Sequence, residues 1–171
     1  VRTEIINAFN PIGSSEESKD GMDAVVCKLN LKQMTLEYAA ANNSFYIIRN
    51  KEIIICKADK MPVGKGTNDE QPFTYNQILL EAGDMIYVFS DGYADQFGGP
   101  LGKKFKYKQL QELLHKNHQL PLDQQRSVYE KAINDWKGSL EQIDDIITSP
   151  NTSQETKLAA ISRVVGWAGL E

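Results

Sequence analysis

Met85-Ile86-Tyr87-Val88-Phe89 is an unbroken apolar run that ends on Ser90-Asp91-Gly92. A run of this kind is a buried strand, and it delivers one carboxylate to its end before a glycine turns the chain tightly. Hard divalent cations take anionic oxygens held on rigid supports, and a glycine after the strand end lets the backbone pass close to an ion. By itself the pattern is more often a strand closed by an ordinary Asp-Gly turn. A second acidic group, Glu141-Gln142-Ile143-Asp144-Asp145, follows an expected helix and its Gly138 stop, where another strand should begin. Taken alone, such an Asp pair is usually a solvated turn or a helix cap.

Strands are expected first and helices after. Val1 to Phe9 reads as the end of a helix with Ile5, Ile6 and Phe9 on one stripe, followed by a polar loop from Asn10 to Asp20. Strands are expected at Met22 to Leu31, Thr35 to Ala41, Ser44 to Arg49 and Glu52 to Lys57, joined by short polar turns, as an antiparallel meander. Pro62, Gly64 and Gly66 break the pattern before Phe73 to Leu80 and Asp84 to Phe89 resume it. Leu110, Leu113 and Leu114 then recur at helical spacing, and Pro121 to Trp136 makes a second helix with Leu122, Val128, Ile133 and Trp136 on its inward face. That order predicts an α+β packing with helices laid on a sheet.

At 171 residues the chain is one domain's worth, and 41% apolar with 25% charged residues is ordinary for a soluble globular protein. A net charge of −4 gives no nucleic-acid footprint. No segment has the roughly 18 consecutive apolar residues of a membrane span, and no signal peptide opens the chain. The one dense basic patch, Lys103, Lys104, Lys106 and Lys108, reads as a solvated loop in preference to a phosphate-recruiting one. Cys27 and Cys56 sit in strand patterns and read as buried free thiols of a reducing compartment, which places the chain in the cytoplasm. His115 and His118, near a helix C-terminus, read as solvated and not as ligands. Tyr87, Phe89, Tyr93 and Phe97 read as core or rim packing.

The combination is more specific than its parts. Ser18 to Asn30 (SKDGMDAVVCKLN), Leu36 to Asn50 (LEYAAANNSFYIIRN), Asp59 to Lys65 (DKMPVGK), Gly83 to Gly99 (GDMIYVFSDGYADQFGG) and Leu140 to Asp145 (LEQIDD) follow one another in order. This resembles the C-terminal two thirds of the metal-dependent (PPM, type 2C) protein serine/threonine phosphatases, in their bacterial SpoIIE-like branch. The resemblance implies two antiparallel sheets face to face with helices on both outer sides, an α-β-β-α β-sandwich, here incomplete. It implies that Asp91, Asp144 and, less firmly, Asp145 are ligands of Mn²⁺ or Mg²⁺, two ions in the complete domain, with Asp91 and Asp144 in the catalytic role. It further implies a phosphoprotein substrate carrying phosphoserine or phosphothreonine, such as an anti-sigma-factor antagonist. Sensor modules upstream in a longer bacterial signalling protein and a cytoplasmic location are implied as well, with no membrane contact by this domain.

Two departures limit what the chain itself is expected to do. The family's first acidic motif, a Gly-Asp-Gly whose Asp bridges the ions, is absent, so Asp91 and Asp144 offer half a site unless Asp20 or Asp23 substitutes. After Ile147 the chain runs into Thr148-Ser149-Pro150, so residues 1–147 are expected to form the partial phosphatase domain and 148–171 a tail of atypical or foreign origin. Thr152 to Glu155 reads as a capping box opening a helix that reaches Val165. Exposed sheet edges should either be covered by that helix or drive homo-oligomer formation. The alternatives to an active phosphatase are an inactive fragment of one and a phosphoprotein-binding module of the same fold.

Overall fold

The structure, a computed structural model, describes residues 21–64, 71–144, 146 and the backbone of 158–160. The expected Val1 to Phe9 helix, Asp20 and Asp145 lie outside the described residues. By its contacts the chain divides into two units, residues 21–44 with 57–80, and residues 45–56 with 81–160.

In the first unit, β2 (Ala24–Asn30), β3 (Thr35–Ala41) and β7 (Asn76–Leu79) form an antiparallel sheet in the order β2-β3-β7. The period-2 burial of Leu36, Tyr38 and Ala40 sets the register, because a slip of one residue would turn all three outward. Short strands β1 (Gly21–Met22) and β6 (Val63–Gly64) pair antiparallel beside it. Asn42 then takes a left-handed backbone (φ 56°), and its side-chain amide donates to Asp23 at 2.7 Å.

At that corner the chain changes sheets. β4 (Phe45–Arg49) and β5 (Glu52–Cys56) make a hairpin, and β8 (Met85–Val88) pairs antiparallel on the other side of β4. The two-residue turn uses Asn50 (φ 49°) and Lys51 (φ 68°), the double left-handed geometry that matches strand twist. The four strands expected in succession are antiparallel as expected and fall in two sheets, β2-β3 in one and β4-β5 in the other: strand spacing reports neighbours in sequence, and a left-handed Asn redirects the chain without changing that spacing.

A correction concerns the tail. Leu158–Ala160, expected inside a helix, is strand β11, parallel to β8 with Leu158 opposite Ile86 and Ala160 opposite Val88. An unpaired edge of N–H and C=O groups is a template for any adjacent extended apolar segment, and pairing with it overrides local helix preference.

One face of this sheet presents Tyr46, Ile48, Met85, Tyr87 and Phe89 to helices α2 (Lys106–Asn117) and α3 (Leu122–Lys137), whose Leu110, Leu114, Tyr129 and Ile133 complete the core. Inside it Gln125, 1% exposed, satisfies all of its hydrogen-bonding capacity. Its amide donates to the carbonyls of His118 (3.1 Å) and Leu120 (2.8 Å), and its Oε1 accepts from the hydroxyls of Tyr87 and Tyr129, each at 2.9 Å. One side chain thereby joins strand, helix and interhelical loop. Burial pushes the Tyr87 hydroxyl up to about 12, so it stays a donor throughout the physiological range. Gln125→Leu strips two hydroxyls and two carbonyls of their partner and should lower stability by about 3 kcal/mol, read as a fall in the urea midpoint. A loss below about 1 kcal/mol would mean that the two tyrosines satisfy each other without it.

At the edge, Arg49 holds Asp84 bidentately (2.9 and 2.7 Å) and Glu81 at 2.8 Å, fixing the turn that launches β8. Cys56 is buried, and the Cys27 thiol is pushed up to about 11 by burial, which leaves little reactive thiolate at neutral pH. His115 and His118 are structural: Nε2 of His115 bonds the Lys51 carbonyl at 2.7 Å, and Nδ1 of His118 bonds the His115 carbonyl at 2.5 Å.

Candidate metal site

Asp91 is placed by burial on both sides of it. Every residue of β8 is buried, Phe89 is fully enclosed, and after Asp91 the residues Gly92, Tyr93 and Ala94 are buried again. Only Ser90 and Asp91 reach partial exposure in between. The chain there makes a short helix, α1 (Gly92–Asp95), opened by the Asp91 carbonyl, which accepts from the Asp95 N–H at 2.8 Å. The helix is pinned from inside. The Tyr93 hydroxyl donates to the Tyr129 carbonyl at 2.8 Å, and its ring meets Phe105 edge-on at 5.3 Å. Burial raises the pKa of that hydroxyl, so it remains protonated and bonded. The Asp91 carboxylate makes no capping bond to its own helix. Asp91 thus lies three residues beyond the end of β8, at the start of α1 and between buried segments, the kind of support a cation ligand needs.

The segment that carries Asp144 is tied to the end of α1 through Gln96. Gln96 is fully buried, and its Nε2 donates to the Glu141 carbonyl at 2.9 Å. Its own carbonyl accepts from Trp136 Nε1 at 3.1 Å. Three residues on from Glu141, Asp144 is exposed, its carbonyl accepting from the Gln142 amide at 2.9 Å, and Ile146 packs back onto the core. Asp91 and Asp144 thus lie on two segments that one buried amide fastens together, though 53 positions separate them in sequence. Nothing in the sequence flags Gln96 for this task, because a Gln between an Asp and a Phe carries no motif. Asp23, an expected substitute ligand, accepts from Asn42 in the first unit.

The donor set suits a hard cation in kind. Carboxylate oxygens are the ligands Mn²⁺ and Mg²⁺ prefer; Gln96 Oε1 is buried without a hydrogen-bond partner among the described residues. In number it is partial: among the described residues no three His, Cys, Asp or Glu side chains converge as a metal cluster.

Comparison with known proteins bears on the fold. The structure is similar to the SiaA-PP2C domain of Pseudomonas aeruginosa, with a TM-score of 0.61 and 23% identity over 66% of this chain and 44% of that one. It is similar also to the phosphatase domain of the cell fate determinant SpoIIE from Bacillus subtilis, presoaked with Mn, with a TM-score of 0.54 and 15% identity over 83% of this chain and 60% of that one. The chain therefore spans less than two thirds of either relative, and the expected α+β class with antiparallel sheets is the one they share. No curated protein matches the chain. Among the described residues no helix is long and apolar enough to cross a membrane. The family model for Stage II sporulation protein E matches residues 3–148, and the chain belongs to that SpoIIE family of PP2C-like phosphatase domains.

Proposed function

We propose that the chain is part of a metal-dependent serine/threonine phosphoprotein phosphatase domain in a bacterial, cytoplasmic signalling protein. The observation that carries this reading is the fastening of the Asp144 segment to the Asp91 helix by Gln96, within a chain that the SpoIIE model matches over residues 3–148. Asp91, Asp144 and Asp145 would hold Mn²⁺ or Mg²⁺. When bound, the ions polarise the phosphoryl group and bring a coordinated water toward hydroxide at neutral pH.

The chain's own residues do the positioning. β8 and α1 hold the Asp91 carboxylate still against the core, so no reorganisation is needed when substrate arrives. Gln96 keeps the second carboxylate segment in register with the first. No Ser-His-Asp or Cys-His group is needed, since the attacking oxygen comes from water. The substrate is a phosphoserine or phosphothreonine protein, an anti-sigma-factor antagonist being the type the family suggests. Sensor modules upstream would govern its access.

The test uses the longer protein that includes the segment before Val1. Manganese-dependent release of phosphate from a phosphoserine peptide, abolished by chelation and restored by the ion, is the expected result. Tight peptide binding with no turnover at any manganese concentration would instead make the domain a phosphoprotein-binding module.

A further inference from the structure

Directly after α1 the chain makes a small hairpin, β9 (Phe97–Gly98) paired with β10 (Lys103–Lys104), that leads into the first turn of α2. It is firmly seated. Gly99 N–H donates to the Trp136 carbonyl at 2.7 Å, and the Phe105 N–H at its far end donates to the Gln96 carbonyl at 3.0 Å. Its outer surface combines two features that a free surface seldom keeps together. Leu101 at the tip is 76% exposed and Phe97 is 40% exposed, while Lys103, Lys106 and Lys108 are all exposed and make no ion pair among the described residues. Lys104 is the paired member, bonded to Asp95 at 2.8 Å and 5.9 Å from the centre of the Phe97 ring.

The positive charge here is held at an energetic disadvantage. Lys106 has a left-handed backbone (φ 71°), which a side chain tolerates only at a cost of order 1 kcal/mol. Its turn contains no acidic residue, so Lys106 and Lys108 sit at the positive end of the helix dipole with nothing to offset them. The chain as a whole is acidic, at −4, so the patch is a local reversal of its field. Neither choice improves folding, and both make sense when an anionic partner arrives from outside.

We propose that the Phe97 to Lys108 hairpin surface docks the protein substrate, through an acidic stretch beside its phosphorylated residue and one apolar side chain set against Leu101 and Phe97. The surface starts six residues from Asp91, so a segment held there has its phosphoryl group within reach of the candidate metal site. The inference names the recruiting surface of the phosphatase reading and rests on it for the word substrate. The binding itself is measurable without turnover.

The probe is a fluorescent peptide with one phosphoserine, three glutamates and a leucine, titrated with this chain at low and moderate salt without metal. The variant is Lys103→Ala/Lys106→Gly/Lys108→Ala; glycine accepts the left-handed backbone, so its melting temperature should match or exceed that of the parent. We expect peptide affinity to fall about 30-fold at low salt, since three charge contacts are lost, and its salt dependence to flatten. Leu101→Ser should weaken it a further ~5-fold. In the longer protein the triple variant should raise KM for the peptide and leave p-nitrophenyl phosphate hydrolysis unchanged. Equal peptide affinity in parent and variant overturns the proposal, as does tighter binding to phosphatidylserine vesicles or duplex DNA than to the peptide. Lysine-dependent peptide binding in a longer protein that hydrolyses neither compound supports the docking surface while removing the phosphatase reading.

Discussion

Asp91→Asn in the longer protein should reduce metal-dependent hydrolysis by about a thousandfold, equivalent to ~4 kcal/mol of lost transition-state stabilisation. The substitution keeps the shape of the side chain and removes the charge that would hold the ion. Folding should be nearly untouched. The backbone there (φ −67°, ψ −21°) suits asparagine as well as aspartate, and no capping bond to α1 is lost. Relief of repulsion between neighbouring carboxylates should leave the melting temperature of the metal-free protein unchanged or slightly raised. The pair of measurements is turnover at saturating manganese and thermal melting with chelator. Wild-type turnover in the mutant would remove Asp91 from the site, and a collapsed melting temperature would show that its carboxylate serves the fold instead.

What could be read from the residues, and what could not, divides along the range of the interactions involved. β3 is found where alternation puts it, Thr35–Ala41, because Leu36, Tyr38 and Ala40 follow the pleat with period 2. α3 begins after Pro121 and ends at Gly138, a proline and a glycine that act locally. Phe73 to Leu80, by contrast, is a strand only over Asn76–Leu79, since it pairs only where β3 lies opposite. β11 was hidden for the same reason: Leu158–Ala160 is extended because β8 offers an edge, and no local propensity reports that.

The surroundings of the candidate site show the same division. The placement of Asp91 after a buried strand is legible because an apolar run, an Asp and a Gly are contiguous. The fastening of Asp144 is not, because Gln96 reaches Glu141 across 45 positions through a buried amide. Phe105 and Trp136 are likewise invisible as a pair until their rings meet edge-on at 5.4 Å.

Gly98→Ala should be the most damaging small substitution in the second unit, lowering stability by about 4 kcal/mol. A Cβ at this position would overlap the backbone carbonyl of Trp136 and lie 2.7 Å from Cδ1 of its ring. The ring can rotate, but the carbonyl belongs to the last turn of α3 and cannot withdraw without moving the helix. The hairpin must therefore lift. Lifting breaks the Gly99 to Trp136 bond at 2.7 Å, the Trp136 to Gln96 bond at 3.1 Å and the packing of Trp136 on Phe105. Urea unfolding followed by tryptophan fluorescence reads the loss, and Trp136→Ala on top of Gly98→Ala should restore none of it, because the obstruction is main chain. The consequence for the site follows from Gln96, which sits at the root of the same hairpin and holds Glu141. A displaced Gln96 frees the Asp144 segment, so manganese affinity of the longer protein should fall in Gly98→Ala even at temperatures where the fold persists. Stability within 1 kcal/mol of the parent would show that hairpin and helix are not in contact as described; reduced stability with unchanged manganese affinity would show that Gln96 does not position the second ligand.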